Sequence, residues 1–590
     1  MRQFFKFMLA SMLGFFLTFL LFFLLLIGVI ASIANFTKKE PVDVAANSVY
    51  HLKLNTEIVD RSSDNPAEAF DLMSFSPSKA IGLNDLLRNI QKAKEDENIK
   101  GIFLDLTITQ TGWSTMAEIR NQLIDFKESG KFIIAYGEYM NQGAYYLGSV
   151  ADQVFINPEG IIDFRGLNAQ VAFIKNMLEK LGIEAQIIRH GKYKSAGEPL
   201  FLESLSPENR SQLASYVNTI WNTILDDISK QRNLTLNQLN IIADEFQTRT
   251  PESALEAGMI DGILYRDEVL DHFRERLEIE KDDKVNMVSF HRYLRAPLPE
   301  SMLPQRSRDK IAVVYGSGNI VMGEGSVGNM GSDRIAAALR EARRDTTVKA
   351  IVFRINSGGG SALASEVILR EAMLATEEKP LIVSMGDVAA SGGYYIACYA
   401  DEIIANPTTI TGSIGVFGVI PNMKELFNDK LGITFDNVKT NELADLGSVS
   451  RPLNRLEREV IQESVERIYE TFINHVANGR NLPVATVDSI AQGRVWSGVD
   501  AKRVGLIDDF GGLNYAIERA AEITGLENYR IVNYPVQKDL FERLRESLEM
   551  METRIIKARL GDSYKIYEQT QKATQNTGIL MKMPYDITLE

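Results

Sequence analysis

Gly137-Glu-Tyr-Met-Asn-Gln-Gly-Ala-Tyr-Tyr146 recurs 249 positions later as Gly386-Asp-Val-Ala-Ala-Ser-Gly-Gly-Tyr-Tyr395. The match extends outward in order and spacing. Ala151-Asp152 and Asn157-Pro158 return as Ala400-Asp401 and Asn406-Pro407, Arg232-Asn233-Leu234 as Arg480-Asn481-Leu482, and Gly258-Met-Ile-Asp261 as Gly505-Leu-Ile-Asp508. A period of about 250 residues is far longer than a solenoid repeat, so the chain contains a duplicated domain. Both copies alternate short β-branched apolar runs, such as Lys349-Ala-Ile-Val-Phe-Arg-Ile355 and Leu381-Ile-Val-Ser384, with longer helical patterns. That alternation predicts parallel sheet and an α/β class.

Composition bounds the rest. A chain of 590 residues is too long for one core and long enough for two or three. A net charge of −14 leaves little basic surface for a phosphate backbone, so no nucleic-acid partner is expected. The single cysteine, Cys398, excludes an intrachain disulfide and any multi-cysteine metal site. It reads as a small buried residue on the helix after Gly392-Gly393, and no cofactor or metal is expected.

Phe7 to Ile33 contains no charged residue and is dominated by Phe and Leu, long enough to cross a hydrocarbon core of about 30 Å. A secretory signal peptide is the competing reading, because Ser32-Ile33-Ala34 resembles a cleavage site; its apolar region is normally only about 7–15 residues, which favours a retained anchor. Arg2 and Lys6 before the run favour a cytoplasmic amino terminus, although Lys38 and Lys39 follow it. The expected organisation is an anchor (1–36), a juxtamembrane linker (37–47), a first repeat (48–295), a linker (296–309), a second repeat (310–535) and a helical tail (536–590). The linker at 296–309 is marked by three prolines in Ala296-Pro-Leu-Pro-Glu-Ser-Met-Leu-Pro304, which interrupt helix and sheet alike. Apolar residues at helical spacing among charges from Val536 to about Leu560 predict a peripheral or partner-contacting helix.

Chemistry-bearing residues concentrate where the two copies differ. The apolar run ending at Ile355 leads into Asn356-Ser-Gly-Gly-Gly-Ser361, a glycine turn that exposes backbone N–H groups; alone it is a weak signal. Ser391 falls near a helix amino terminus beside Gly392-Gly393. It is either a helix cap or a nucleophile whose oxyanion is held by N–H groups of Gly359 and Gly392. Of the five histidines, His51, His190, His272, His291 and His475, neither second-half member, His291 nor His475, lies in a glycine-bearing loop and all five read more cheaply as surface or core residues, which disfavours a serine–histidine–aspartate triad and leaves lysine as the remaining candidate base. Lys194 stands out in Gly191-Lys-Tyr-Lys-Ser-Ala-Gly-Glu-Pro199, although most lysines are solvated surface residues. Aligning the copies sets Lys194 opposite Ala444, Ser391 opposite Gln142, and Gly358-Gly359-Gly360 opposite Thr109-Gln110-Thr111. Each copy lacks what the other supplies, which points to one site built from both.

Taken together, Ala389-Ala-Ser-Gly-Gly-Tyr-Tyr395, the Asn356–Ser361 turn, Thr411-Gly-Ser-Ile-Gly415 and Tyr193-Lys-Ser-Ala196 resemble the long form of the signal peptide peptidase A family over essentially the whole chain. The resemblance implies two repeats with a fold like ClpP and the crotonases, and a serine–lysine dyad with Ser391 as nucleophile, Lys194 as general base and Ser413 orienting the lysine. It further implies Gly359 and Gly392 as oxyanion donors, and a homotetrameric bowl anchored in the bacterial inner membrane on its periplasmic side. Expected substrates are signal-peptide remnants and other apolar peptides, with membrane lipid contacted through the anchor. Gly358 departs from the family, whose turn commonly carries proline there. Two other classes stay open: a crotonase-like acyl-CoA enzyme, against which the membrane span and the lack of a basic phosphate-binding run weigh, and a non-catalytic membrane scaffold, against which the complementary retention of Ser391 and Lys194 weighs. A lysine of ordinary pKa, roughly 10.4, must lose about 1.4 kcal/mol of solvation bias per unit of depression to act as a base at neutral pH. Lys194 is therefore expected to lie buried between the repeats, beside Ser391 and Ser413 and away from carboxylates.

Overall fold

The structure is a computed structural model that describes residues 2–37, 42–62, 70–71, 76–77, 80–302, 307–326, 328–536 and 578–583. Two sheets carry the duplication. In the first, strands run in the spatial order Gly262–Ile263, Gln153–Asp163, Phe132–Asn141, Ile99–Asp105, Ser48–Lys53, Met287–Ser289. In the second, Asp509–Phe510, Glu402–Ala405, Leu381–Ala390, Val348–Ser357, Lys310–Ser317 and Arg530–Tyr534 repeat that order, and all these pairings are parallel. Strand Ile99–Asp105 is buried at every position but Lys100, as expected of a parallel strand covered on both faces.

The repeat extends to the apolar packing of the helices. Helix Leu83–Glu95 buries Leu83, Leu86, Leu87, Ile90 and Ala93, and helix Ser332–Arg344 buries Ser332, Ile335, Ala336, Leu339 and Ala342, each 249 positions on. Positions at i, i+3, i+4 and i+7 form one helix face, so the same stripe covers the same sheet twice. The most legible repeated residues are structural pins. Asp152 Oδ2 accepts the Ile133 N–H at 2.8 Å and Asp401 Oδ2 that of Leu381 at 2.8 Å. Tyr145 and Tyr394 donate their hydroxyls to Met259 O and Leu506 O, both at 2.8 Å. Asp261 and Asp508 accept the Val154 and Ile403 N–H groups at 2.7 Å, each also paired with an arginine, Arg232 or Arg480.

A third sheet stitches the repeats together. Its order is Asn329–Gly331, Asn319–Val321, Gly359–Ser361, Gly578–Lys582, Phe417–Asn422, Glu184–Arg189. The last strand comes from the first repeat and pairs antiparallel with the second, Arg189 opposite Phe417 and Glu184 opposite Asn422. Tail residues 578–582 are thus a strand where a helical tail is expected; residues 536–560, where apolar spacing predicts a helix, lie outside the described residues apart from Val536. Cys398 is buried just past the short helix Gly392–Tyr395, donating its thiol to Tyr395 O at 3.2 Å.

Helix Arg2–Thr37 includes the stretch Lys6–Leu24, of mean hydropathy 2.4, long and apolar enough to cross a membrane. Elsewhere the two repeats share a buried ionic knot. Arg354, in the second sheet, is fully buried and bonds Asp60 through Nε at 2.8 Å and Glu118 through NH2 at 2.7 Å. Glu118 also accepts the Leu513 N–H at 2.7 Å. Removing one partner of a buried ionic cluster strands the others without water. Arg354→Met is expected to lower unfolding free energy by about 3–5 kcal/mol, and Arg519→Met, which breaks a solvent-screened surface pair with Glu402, by far less. Denaturant titration of both variants checks this; equal losses would deny the knot its role.

Candidate active site

Two parallel neighbours, Leu381–Ala390 and Ile410–Gly412, end in register, Ala390 opposite Gly412. The next residue of each is a serine, and both serines hold positive φ, +55° at Ser391 and +50° at Ser413. Such backbone costs on the order of 1–3 kcal/mol for a residue with a Cβ, and persists only where surroundings enforce it. Here they do: Ser391 N donates to Gly412 O at 2.8 Å and Ser413 N to Arg494 O at 2.6 Å. The Ser391 side chain makes no cap bond to the helix that follows, so the capping alternative fails. At the matching position of the first repeat, Gln142 begins the helix Gln142–Gly148, accepts the N–H groups of Arg165 and Gly166 at 3.1 and 2.9 Å, and Asn141 caps the helix through Ala144 N. The strained elbow exists only in the copy that carries the serine.

Lys194 enters from the first repeat on the arm that follows strand Glu184–Arg189. Tyr193 N donates to Gln492 O at 2.9 Å. Gly493, at φ +78°, lies so close beneath the lysine that a Cβ there would sit 2.6 Å from Lys194 Cβ, so only glycine admits the arm. Gln212 ties both sides, accepting the Val495 N–H at 3.1 Å and donating to Ser195 Oγ at 3.0 Å and Tyr193 O at 3.2 Å. Arg189 donates to Lys194 O at 3.0 Å.

The amine so delivered is fully buried. Lys194 Nζ lies 2.8 Å from Ser391 Oγ, 3.0 Å from Ser413 O and 3.1 Å from Ser413 Oγ. Among the described residues no carboxylate pairs with it, and burial alone drives its pKa well below the ordinary lysine range. All three groups drawn from separate sequence motifs therefore meet at one point. Gly392 begins a helix, where first-turn N–H groups have no partner within the helix. Gly359, at φ +95°, lies against it, but its N–H donates to Ser357 Oγ at 3.1 Å rather than standing open. Histidines are elsewhere: His190 stacks on Tyr469 at 3.9 Å, His51 bonds Asp105 at 2.9 Å, and His475 lies 3.3 Å from Tyr399. Ala444, opposite Lys194 in the alignment, is exposed on an irregular segment.

Sequence reasoning missed three participants. Gly493 and Gln212 hold the arm without touching Ser391, and nothing in their local motifs marks them. Gly578–Lys582 lies across the site, and its signal is faint: a short apolar run, Gly578-Ile-Leu-Met581, closed by Pro584 after a charged stretch.

A duplicated α/β chain that sets a desolvated amine against the hydroxyl of a strained serine is built as a serine hydrolase. The comparisons narrow this. The model of "Peptidase family S49" matches residues 125–280 and 374–527, one match in each repeat. Protease 4 of Salmonella typhi is 34% identical over 90% of this chain and 87% of its own, and the chloroplastic serine protease SPPA of Arabidopsis thaliana is 38% identical over 75% of this chain and 66% of its own. A ClpP1 mutant chain from Listeria monocytogenes superposes with TM-score 0.24 and 14% identity over 35% of this chain and 94% of that one, which at that score adds nothing to the topology above. This chain belongs to peptidase family S49, a duplicated α/β serine peptidase.

Burying a lysine has a measurable cost whatever its role. With its folded pKa depressed, the native state binds fewer protons than the unfolded chain between that pKa and the ordinary lysine value. Stability thus rises with pH across this window, by about 1.4 kcal/mol per pH unit from this group at most. Lys194→Met is expected to melt higher than the parent at pH 7, with the gap narrowing toward pH 9.5, as thermal melts in matched buffers would read; a gap constant with pH would mean the amine is charged in place.

Proposed function

We propose that this protein is a membrane-anchored endopeptidase in which Ser391 is the nucleophile and Lys194 its general base. The carrying observation is the 2.8 Å approach of a fully buried, unpaired amine to Ser391 Oγ. A neutral amine has two N–H donors and one lone pair. Donating to Ser413 O and Ser413 Oγ uses both donors and turns the lone pair toward the Ser391 hydroxyl, which gives Ser413 its orienting role. Proton transfer from Ser391 to Lys194 then releases an alkoxide equivalent onto a peptide carbonyl, and the ammonium so formed returns the proton to the departing amine. The Gly392 N–H meets the oxyanion, joined by the Gly359 N–H, which exchanges Ser357 Oγ for the stronger charged acceptor.

Cleaved signal peptides and other apolar peptides fit this site as substrates. An anchor with two cations, Arg2 and Lys6, before its apolar run supports a cytoplasmic amino terminus and a catalytic body on the periplasmic face of a bacterial inner membrane, where such remnants lie. Ile187, Ala196, Leu200, Phe417 and Val419 form an apolar cluster around the third sheet beside the site. A homotetramer is supported by a broken symmetry. The arm of the first repeat is paired with the second, whereas the corresponding arm of the second leaves Leu431, Ile433, Phe435 and Val438 exposed, Val438 completely. A neighbouring copy that accepts this arm would close a ring.

Full-length protein in detergent tests the dyad. Ser391→Ala and Lys194→Ala are each expected to lower kcat on an apolar peptide by about 10⁴-fold, with the protein still folded and assembled. Activity of the parent should rise with pH through the depressed lysine pKa and be present well below the ordinary lysine range; full activity in Lys194→Ala across pH would remove lysine from the mechanism. Val438→Asp together with Phe435→Asp should lower the assembly mass measured by light scattering, and an unchanged mass would place the interface elsewhere.

A further inference from the structure

Both halves of the site are fastened to one short stretch of chain, residues 492–495. Gln492 O accepts the Tyr193 N–H at 2.9 Å, Gly493 N donates to Ile414 O at 2.8 Å, Arg494 O accepts the Ser413 N–H at 2.6 Å, and Val495 N donates to Gln212 Oε1 at 3.1 Å. Gln492 and Gly493 both hold positive φ, +53° and +78°. Tyr193 and Gln212 belong to the first repeat, Ser413 and Ile414 to the second, so this stretch sets the spacing between the lysine arm and the serines.

One side chain of the stretch reaches beyond these backbone bonds. The Arg494 guanidinium lies over the Trp496 ring, 4.2 Å from its centroid, and over the Tyr193 ring, 5.2 Å from its centroid. Trp496 is 6% exposed and its indole N–H donates to Ile490 O at 3.0 Å, which makes it a fixed plate. Tyr193 is the residue before Lys194. Among the described residues no carboxylate pairs with Arg494, and its Nε is buried without a hydrogen-bond partner. A guanidinium so placed gives up hydration that an apolar side chain would never have had. What it gains is a flat stack of fixed geometry.

The matching stretch of the first repeat, residues 245–248, lacks this arrangement. The helix caps Thr250 and Ser497 set the alignment. Phe246, at φ +48°, stands in place of Gly493; Gln247, in place of Arg494, donates to Glu245 at 2.7 Å; and Arg249, in place of Trp496, is exposed. The stack therefore occurs in the copy that receives a lysine arm within this chain and is missing from the copy that receives none. A second stack, His190 on Tyr469 at 3.9 Å, also crosses the seam, but Gly191, at φ +94°, separates it from the lysine. The other charged groups near the arm are Arg189, which donates to Lys194 O at 3.0 Å, its partner Glu198, and Asp488 behind Gln492. Arg189 and Glu198 both belong to the first repeat and Asp488 contacts only the second, so Tyr193 is the last side chain gripped across the seam before the amine.

We propose that Arg494 is a positioning residue for the dyad: stacked between Trp496 of the second repeat and Tyr193 of the first, it fixes the arm so that the Lys194 amine stays on Ser391 Oγ and out of water. This rests on the Ser391–Lys194 reading above. Arg494 acts through Tyr193 and not on the substrate, so its loss should be felt in turnover and not in binding.

The test uses full-length protein in detergent, an apolar fluorogenic peptide, kcat and KM measured across pH, and thermal melts. Misplacing a reacting group by about 1 Å costs on the order of 10²-fold in rate, and Arg494→Met is expected to lower kcat at pH 7 by about that factor with KM unchanged. Its acid limb of kcat should move to higher pH, because water admitted beside Lys194 restores the affinity of the amine for a proton. Arg494→Lys, which keeps the charge and cannot lie flat between rings, should fall between Arg494→Met and the parent. Tyr193→Leu should lose as much as Arg494→Met, Tyr193→Phe far less, and the double variant Arg494→Met/Tyr193→Leu no more than either alone. If the two losses multiply, if KM rises while kcat holds, or if Arg494→Met only melts lower with kcat and its acid limb unmoved, the positioning role is overturned and the dyad reading stands. Should Arg494→Met fail to fold, the Tyr193 pair decides, and equal kcat in Tyr193→Phe and Tyr193→Leu overturns the proposal. If Ser391→Ala is as active as the parent, both readings fall.

Discussion

Everything around Ser391 follows from keeping one amine dry. A lysine stays neutral near neutral pH only if its surroundings withhold both water and carboxylates, and a single α/β sheet with its functional end open to solvent does not provide such a place. The seam between two repeats does. Lys194 is fully buried there because a strand of the first repeat is added to a sheet of the second, because Gly493 leaves no Cβ beneath it, and because Gln212 closes the entry from both sides. The seam is in turn held by Arg354 with Asp60 and Glu118.

Duplication explains how that arrangement could arise without new folds. Each repeat keeps the aspartates and tyrosines that pin its strands, and on the proposed reading each carries one half of the chemistry. The first repeat's elbow is relaxed, with Gln142 spent on fastening the Arg165–Gly166 turn, while the second repeat's arm lies exposed around Ala444. At the site itself, positive-φ backbone holds both residues whose oxygens face the amine, Ser391 and Ser413.

The legibility of this protein divides along the same line. The fold was readable because the 249-residue offset preserves both the buried helix stripe Leu83–Ala93 and the pins Asp152 and Tyr145, and because packing periodicity is a local property of sequence. Ser391 and Lys194 were readable as departures from the repeat and as motifs of a family, Ser413 only through the family motif. What was not readable is long-range and has no periodicity: the close approach of Gly493 to Lys194, the bridge through Gln212, the engagement of the Gly359 N–H by Ser357, and the strand at 578–582, where too few residues carry too little pattern to outweigh a charged surrounding tail.

The third sheet carries a consequence for what this protein leaves alone. The position between Gly359–Ser361 and Phe417–Asn422, filled here by Gly578–Lys582, is satisfied by backbone on both sides, which an extended strand can offer and a segment already committed to a helix or to another sheet cannot. On the proposed reading, chains that have lost their partners, or never found them, present themselves in the form this molecule would hold, which would make the structure a sensor of unfinished folding as much as a blade.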